Sequence, residues 1–252
     1  MKNTTVDVKP VTAASPNGRR NFLKMSGLAL AGTGLLIAGC SDDDENNDDQ
    51  SNQQFPGVRN GKFDLGGGDA GILTYAYALE QLEADFYTKV VNNASFRTTF
   101  GAEEQAVLVD LYNHEVIHRE FFRTALTGAL RGTSGTVLPN LAFNYGGLNF
   151  ASRTTVLQTA MALEDTGVRA YNGAGQYLEN VDYLVIAGKI VSVEARHASA
   201  IRDLLNGGTS FAGDDQTDRT TGLDKAEAPS EIIRQVKSLN IIQTDFTAQF
   251  LR

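Results

Sequence analysis

The 252-residue chain has one cysteine, three histidines, five prolines and no tryptophan. A lone cysteine, Cys40, excludes an internal disulfide. Basic charge is in deficit: 22 lysines and arginines face 30 aspartates and glutamates, a formal net charge of −8. That balance argues against non-specific binding to nucleic acid. The apolar run from Met25 to Gly39 is 15 residues long, whereas a transmembrane helix needs about 20. No stretch alternates apolar and polar residues for long enough to predict a strand. With 42% apolar residues, the chain can still bury one substantial core. Because histidines are few, the position of each is informative.

The first forty residues read as an address. Arg19-Arg20-Asn21-Phe22-Leu23-Lys24 is a twin-arginine pattern, followed by the Met25–Gly39 run, which fits a signal-peptide apolar region. The run ends in Ile37-Ala38-Gly39-Cys40, which resembles a bacterial lipobox. On that reading residues 1–39 are removed and Cys40 is acylated to become the first mature residue. The bland alternative for Cys40 is a buried free thiol. Residues 40–68 then form an acidic, glycine-rich tether. Its stretch Ser41–Gln54 holds no apolar residue and cannot contribute to a core. The acidic run also resembles a surface-export signal of some lipoproteins, although a plain spacer explains it as well. Ser41 after the cysteine leans towards the outer membrane. Removal of residues 1–39 leaves 17 of the 22 basic and 29 of the 30 acidic residues, a net of −12. Attachment to a membrane would therefore come from the lipid on Cys40, not from charge. The expected location is the cell envelope, with the domain on either face of the outer membrane.

Helical periodicity dominates the rest. Gly66-Gly67-Gly68-Asp69 predicts a break followed by a helix N-cap, and apolar stripes run from about 70 to 91. Further helices are expected near 102–126, 152–178 and 181–205, and Pro229-Ser230-Glu231 opens a last amphipathic one. The glycine-rich stretch 127–151 is too long for a tight turn. It matches the single long crossover between the second and third helices of a ferritin-type bundle. The expected fold class is all-α: a four-helix bundle over 69–208, with a loop and additional helix over 209–252.

Two pairs of helices repeat one pattern. Ala78-Leu79-Glu80 is followed by Tyr87, and Ala162-Leu163-Glu164 by Tyr171; each tyrosine lies seven residues after its glutamate, on the same helical face. The second and fourth helices carry Glu115-x-x-His118 and Glu194-x-x-His197, with Arg123 and Leu126 matching Arg202 and Leu205 at equal offsets. Residues three apart on a helix point nearly the same way, so each Glu-x-x-His offers a carboxylate and an imidazole to one ion. Carboxylate oxygen with neutral imidazole suits divalent iron, manganese or zinc. Chance produces only ~0.14 such pairs from 12 glutamates and 3 histidines. Four carboxylates also balance two divalent ions, whereas without metal so much buried like charge would be costly.

The candidate metal ligands are therefore Glu80, Glu115, His118, Glu164, Glu194 and His197. Glu83 rivals Glu80, and Asp165 stands beside Glu164; alignment of the repeat selects Glu80 and Glu164. Glu83, Tyr87 and Tyr171 are placed just outside the ligands, the tyrosines as packed residues whose hydroxyls orient a carboxylate. His114 points about 100° from Glu115 and is read as exposed or supporting. Arg123 and Arg202 are read equally as carboxylate partners or surface charges.

These residues resemble those of bacterial ferritin-like-domain proteins related to plant desiccation-related proteins, over roughly residues 69–205. The resemblance implies a bundle with two iron or manganese ions. It does not settle an activity. Cage-forming ferritin is a poor match, because an acylated tether and long loops would obstruct a closed shell. Two functions remain open: a di-metal oxidoreductase acting on peroxide or oxygen in stress protection, or a non-catalytic metal-binding or structural lipoprotein.

Overall fold

The computed structural model describes residues 54–208 and 211–252. The twin-arginine segment, Cys40 and the acidic part of the tether lie outside the described residues.

Four long helices, in two sequential pairs, build the domain. Helix α1 (Gly68–Val91) packs mainly on α2 (Ala102–Ala129), and α3 (Arg153–Ala174) on α4 (Val181–Asn206). A single helical turn, Phe96–Thr99, links the first pair, and a 3-10 turn, Gly175–Tyr177, follows α3. The shared core runs from Leu73 and Leu82 of α1 through Leu108 and Leu126 of α2 to Leu157 and Ile201 of α3 and α4. No helix of the described residues is long and apolar enough to cross a membrane.

Local chemistry explains the helix ends. The side chain of Ser152 accepts from the Thr155 amide, and that of Asn180 from the Asp182 amide, which satisfies amides at two N-termini. Helix α4 stops at Gly207, whose φ of +61° favours glycine. The expectation for Asp69 needs correction. Gly67 is the N-cap of α1, and Asp69 lies inside the first turn. Its carboxylate instead accepts the amides of Glu179 and Asn180, at 2.8 and 2.9 Å, pinning the α3–α4 connection to the start of α1. Helix α3 also ends earlier than expected. At Gly173 the carbonyl of Glu227 occupies the place where a Cβ would stand, so the loop before the last helix can press against the backbone there.

The crossover from α2 to α3 is held by α1. Buried Gln81 accepts the Leu141 amide at 2.8 Å and donates to the Pro139 carbonyl at 3.3 Å. Helix α5 (Pro229–Ser238) begins with proline in its first turn and buries Ile232 and Val236, and it packs on α3.

Three very short strands also form. β1 (Gly57–Arg59) pairs antiparallel with β2 (Lys62–Asp64), and β3 (Phe246–Thr247) pairs parallel with β2. The positive φ values of Asn60 and Gly61, 49° and 77°, suit a tight hairpin. Strands of two and three residues are too short to show alternation in sequence. Buried Asp64 accepts from Thr247 Oγ1 at 2.6 Å and from the amides of Gly66 and Gln249, so the C-terminal segment is tied to the entry of α1.

Candidate metal centre

Each long helix sends one glutamate of the repeat inward: Glu80 from α1, Glu115 from α2, Glu164 from α3 and Glu194 from α4. All four are fully buried, His197 is 3% exposed, and the His118 side chain is 12% exposed. Carboxylates survive such burial only with strong compensation.

The ligand-type atoms fall into two groups. Glu80, Glu115, Glu194 and His118 form one; Glu115, Glu164, Glu194 and His197 form the other. Within each group the four atoms lie within 4.8 Å of one another. His118 Nδ1 lies 2.9 Å from Glu194 Oε1 and 3.5 Å from both Glu80 Oε2 and Glu115 Oε2. His197 Nδ1 lies 2.7 Å from Glu115 Oε1 and 3.4 Å from Glu164 Oε2 and Glu194 Oε2. Glu115 and Glu194 thus give one oxygen to each group, while Glu80 and Glu164 each serve one.

The hydrogen bonds account for what remains. Tyr87 donates to Glu164 Oε1 at 2.5 Å, and Tyr171 donates to Glu80 Oε1. The pairing is exchanged between α1 and α3: each tyrosine serves the glutamate of the other helix, not the one seven residues before it. Burial, and then the neighbouring carboxylates, push both phenols well up, so they stay protonated and donate. The inward atoms meet only one another, with no contact of full hydrogen-bond geometry: Glu80 Oε2, Glu164 Oε2, both oxygens of Glu115 and Glu194, and Nδ1 of His118 and His197.

These eight partnerless atoms suit two cations. Nitrogen and oxygen ligands stand about 2.0–2.2 Å from a small divalent ion, so atoms on opposite sides of an ion are separated by up to about 4.4 Å, a little less than the 4.8 Å that bounds each group. The two groups are complete by chemistry as well, each with three carboxylate oxygens and one imidazole nitrogen.

Protonation points the same way. Burial alone would lower the pKa of His118, but Glu115, Glu194 and Glu80 outweigh it and raise it to about 12. His197 is raised by Glu164, Glu115 and Glu194 against the same burial penalty. Burial raises Glu164 to about 7, whereas the two imidazoles beside Glu194 outweigh its burial and bring it to about 2. Glu115 is raised by burial and by Glu194. In the absence of a cation, therefore, protons on the two imidazoles and on the raised carboxyls offset the buried charge.

Glu83 lies one turn beyond Glu80, is 3% exposed, and has a partnerless Oε2. Burial, and then Glu115 and Glu194, raise its pKa well. It is not in either four-atom group. In the repeat its counterpart is Gly167. A Cβ on Gly167 would stand 3.1 Å from Glu83 Oε1 and 3.8 Å from Glu194 Oε2, so the glycine makes room for a fifth carboxylate.

His114 is exposed, yet its Nδ1 lies 2.9 Å from His197 Nε2 and the rings stack 5.1 Å apart. It therefore holds the outer nitrogen of His197 and leaves Nδ1 facing the carboxylates. The sequence signal for this was weak: helical geometry turns residue 114 away from Glu115 but says nothing of its distance to α4. The two arginines of the repeat diverge. Arg202 is buried and pairs with Asp165 and Asp215, while Arg123 is exposed and bonds to Glu120. Asp165 is thus engaged away from the centre.

A family comparison agrees with this architecture. The profile of a ferritin-like domain matches residues 68–207. Among solved structures, a Thermotoga maritima protein, provisionally described as a ferritin-like diiron-carboxylate protein, is similar at 22% identity with a TM-score of 0.41, covering 55% of this chain and 95% of its own. No curated protein matches the chain.

Proposed function

Because the chain belongs to the ferritin-like domain family, as the match over residues 68–207 shows, we propose that its bundle binds two divalent ions, iron or manganese, and reduces peroxide or oxygen in stress protection at the cell envelope. The observation that carries the metal reading is the set of eight buried, partnerless ligand atoms in two groups of four. Glu80, Glu115, Glu194 and His118 would hold one ion; Glu115, Glu164, Glu194 and His197 would hold the other. Bound iron or manganese would supply one-electron redox chemistry and open positions for a small oxidant. The protein's own part would be to offer Glu115 and Glu194 to both ions, to orient Glu80 and Glu164 through Tyr171 and Tyr87, and to keep the centre buried from water.

Location belongs to the same proposal. The twin-arginine pattern and the Ile37–Cys40 lipobox support export and acylation at Cys40, with the acidic segment as a tether. Twin-arginine export of an already folded protein would allow metal loading beforehand. The finer likeness to desiccation-related proteins rests on the Glu–Tyr and Glu-x-x-His repeats alone.

A second reading keeps the metal and removes the turnover: a lipid-anchored metal binder. The depth of the centre favours it, since all four glutamates are fully buried. Metal analysis of protein isolated from its own envelope, followed by a hydrogen peroxide consumption assay, tests both. Two bound ions with turnover support the enzyme, and bound ions without turnover leave the binder. Mass spectrometry of the N-terminal peptide tests Cys40: an acylated peptide beginning at residue 40 is expected, and an unprocessed one overturns the anchor.

A further inference from the structure

Helix α4 changes character along its outward face. Val181, Leu184, Val185 and Gly188 recur at the spacing of one helical stripe. The three aliphatic side chains are 70%, 43% and 51% exposed, and a Cβ on Gly188 would meet nothing within 4 Å. Further along the same stripe stand Ser192, Arg196 and Asp203, all exposed. Asp182 and Lys189 flank the apolar part and are the only charged residues between 181 and 193. Single outward aliphatics are ordinary, whereas three on two adjoining turns form a patch that calls for a partner.

The place of the patch in the fold points to that partner. The amide of Gly67, the N-cap of α1, bonds to the carbonyl of Gln54 at 2.8 Å. Asp69, in the first turn, accepts the amides of Glu179 and of Asn180, the N-cap of α4. The chain therefore enters the bundle beside the start of α4. Arg153 marks the opposite end, where it bonds to Glu104 and to the Leu204 carbonyl. The 24 residues of α1 put about 36 Å between the two ends. Residues 41–54 lie between Cys40 and the bundle, so a lipid on Cys40 would keep the patch end within about 50 Å of a bilayer. No helix of the described residues is long and apolar enough to span it.

We propose that Val181, Leu184 and Val185 dock on a zwitterionic phospholipid surface and seat the bundle on the membrane by the first two turns of α4. The proposal rests on the acylation of Cys40. Three aliphatic side chains would hold a free protein to a membrane only weakly. The tether makes the encounter intramolecular, at an effective concentration of about millimolar order, so weak contact suffices. Asp182 and Lys189 stay in the water of the headgroups and keep insertion shallow. Glu179 and Asp182 are exposed at this end and disfavour an anionic surface.

The chain has no tryptophan, so Val185→Trp reports on this surface alone. Ala106→Trp, at an exposed position two residues from Glu104, reports on the far end. Each variant is studied in two forms: isolated from its envelope and reconstituted into phosphatidylcholine vesicles, and as the full unacylated chain coupled through Cys40 to a maleimide lipid in the same vesicles. In both forms the Val185→Trp emission should shift to the blue and fall by about half when the acyl chains are brominated. Ala106→Trp should show neither response. Adding Val181→Asp to Val185→Trp should remove both responses while the protein stays on the vesicles, and anionic lipid should not strengthen them. Absence of quenching at Val185→Trp in the coupled chain, or equal quenching at both ends, would overturn the docking surface. A blue shift that ignores bromine and vanishes on dilution would give the face to a second copy of the chain and overturn the lipid assignment. Mass spectrometry showing the envelope-isolated protein to be unacylated would overturn the anchor and with it docking in the cell. The coupled chain would still report whether the face meets lipid, so the two failures are told apart.

Discussion

Tyr87 of α1 reaches across the bundle to Glu164 of α3, at 2.5 Å, and Tyr171 of α3 returns the bond to Glu80 of α1. Each exchanged bond occupies the outer oxygen of a glutamate and leaves the inner one facing the centre. Removal of the hydroxyl alone should therefore loosen the metal without opening a cavity. Tyr87→Phe and Tyr171→Phe are each expected to lower metal affinity by about 10–100-fold. The metal-free protein should lose about 1–3 kcal/mol through the unpaired buried carboxylate oxygen. Competition titrations with a chelator and denaturant melts measure the two effects.

The bridging and single-group glutamates should differ in kind. Glu115 serves both four-atom groups and Glu80 one. Glu115→Ala is expected to abolish binding of both ions, whereas Glu80→Ala should leave about one ion per chain. Glu83→Ala should lower metal content less than either. Elemental analysis after desalting distinguishes these outcomes, and emptying of the centre by Glu83→Ala but not by Glu80→Ala would reverse the assignment on α1.

His114 should matter to one ion only. It holds Nε2 of His197, and its counterpart in the repeat, Val193, cannot do this for His118. His114→Ala is expected to weaken one of the two ions by about 10–100-fold. His114→Gln, which can still bond to Nε2, should restore most of the loss. Because the residue is exposed, the melting temperature of the metal-free protein should barely move.

Metal-free protein should lose stability with rising pH more steeply than metal-loaded protein. The folded pKa of His118, about 12, lies above its unfolded value of about 6.5. That contribution to stability is full below pH 6.5 and is lost as pH rises towards 12, because the unfolded chain releases its proton first. Metal binding displaces the same protons, so affinity at fixed free metal rises with pH. The gap in melting temperature between loaded and metal-free protein should widen from pH 6 to pH 8. A gap that narrows would mean that the imidazoles are not displaced by the ion.

The sequence displayed the helices and the inward glutamates because the repeat marks both. Spacing along one helix could not reveal which tyrosine meets which glutamate, since that depends on how α1 and α3 face each other. The same holds for His114 against His197. Asp69 looked like a cap because local sequence does not show that the α3–α4 connection folds back onto it. The three strands are two or three residues long, too short for alternation to show in the sequence. Their stability comes from Asp64 and the distant Thr247 and Gln249. Arg123 and Arg202 occupy equal positions in the repeat, yet Asp165 makes only the second a buried partner.

That buried pair gives a prediction independent of metal. Arg202 and Asp165 are 5% and 6% exposed, so Asp165→Ala would strand the guanidinium with only the exposed Asp215. A loss of about 3 kcal/mol is expected, with metal content unchanged in the folded fraction. Chemical denaturation and elemental analysis of the same sample check both halves.

The most direct test of the central claim is elemental analysis of the full-length protein purified under mild conditions from its own envelope. Two iron or manganese ions per chain are expected in the parent protein, and fewer than 0.2 in Glu115→Ala. A folded parent protein with no bound iron or manganese, and none taken up on reconstitution, would contradict the assignment of the eight buried atoms as a metal centre.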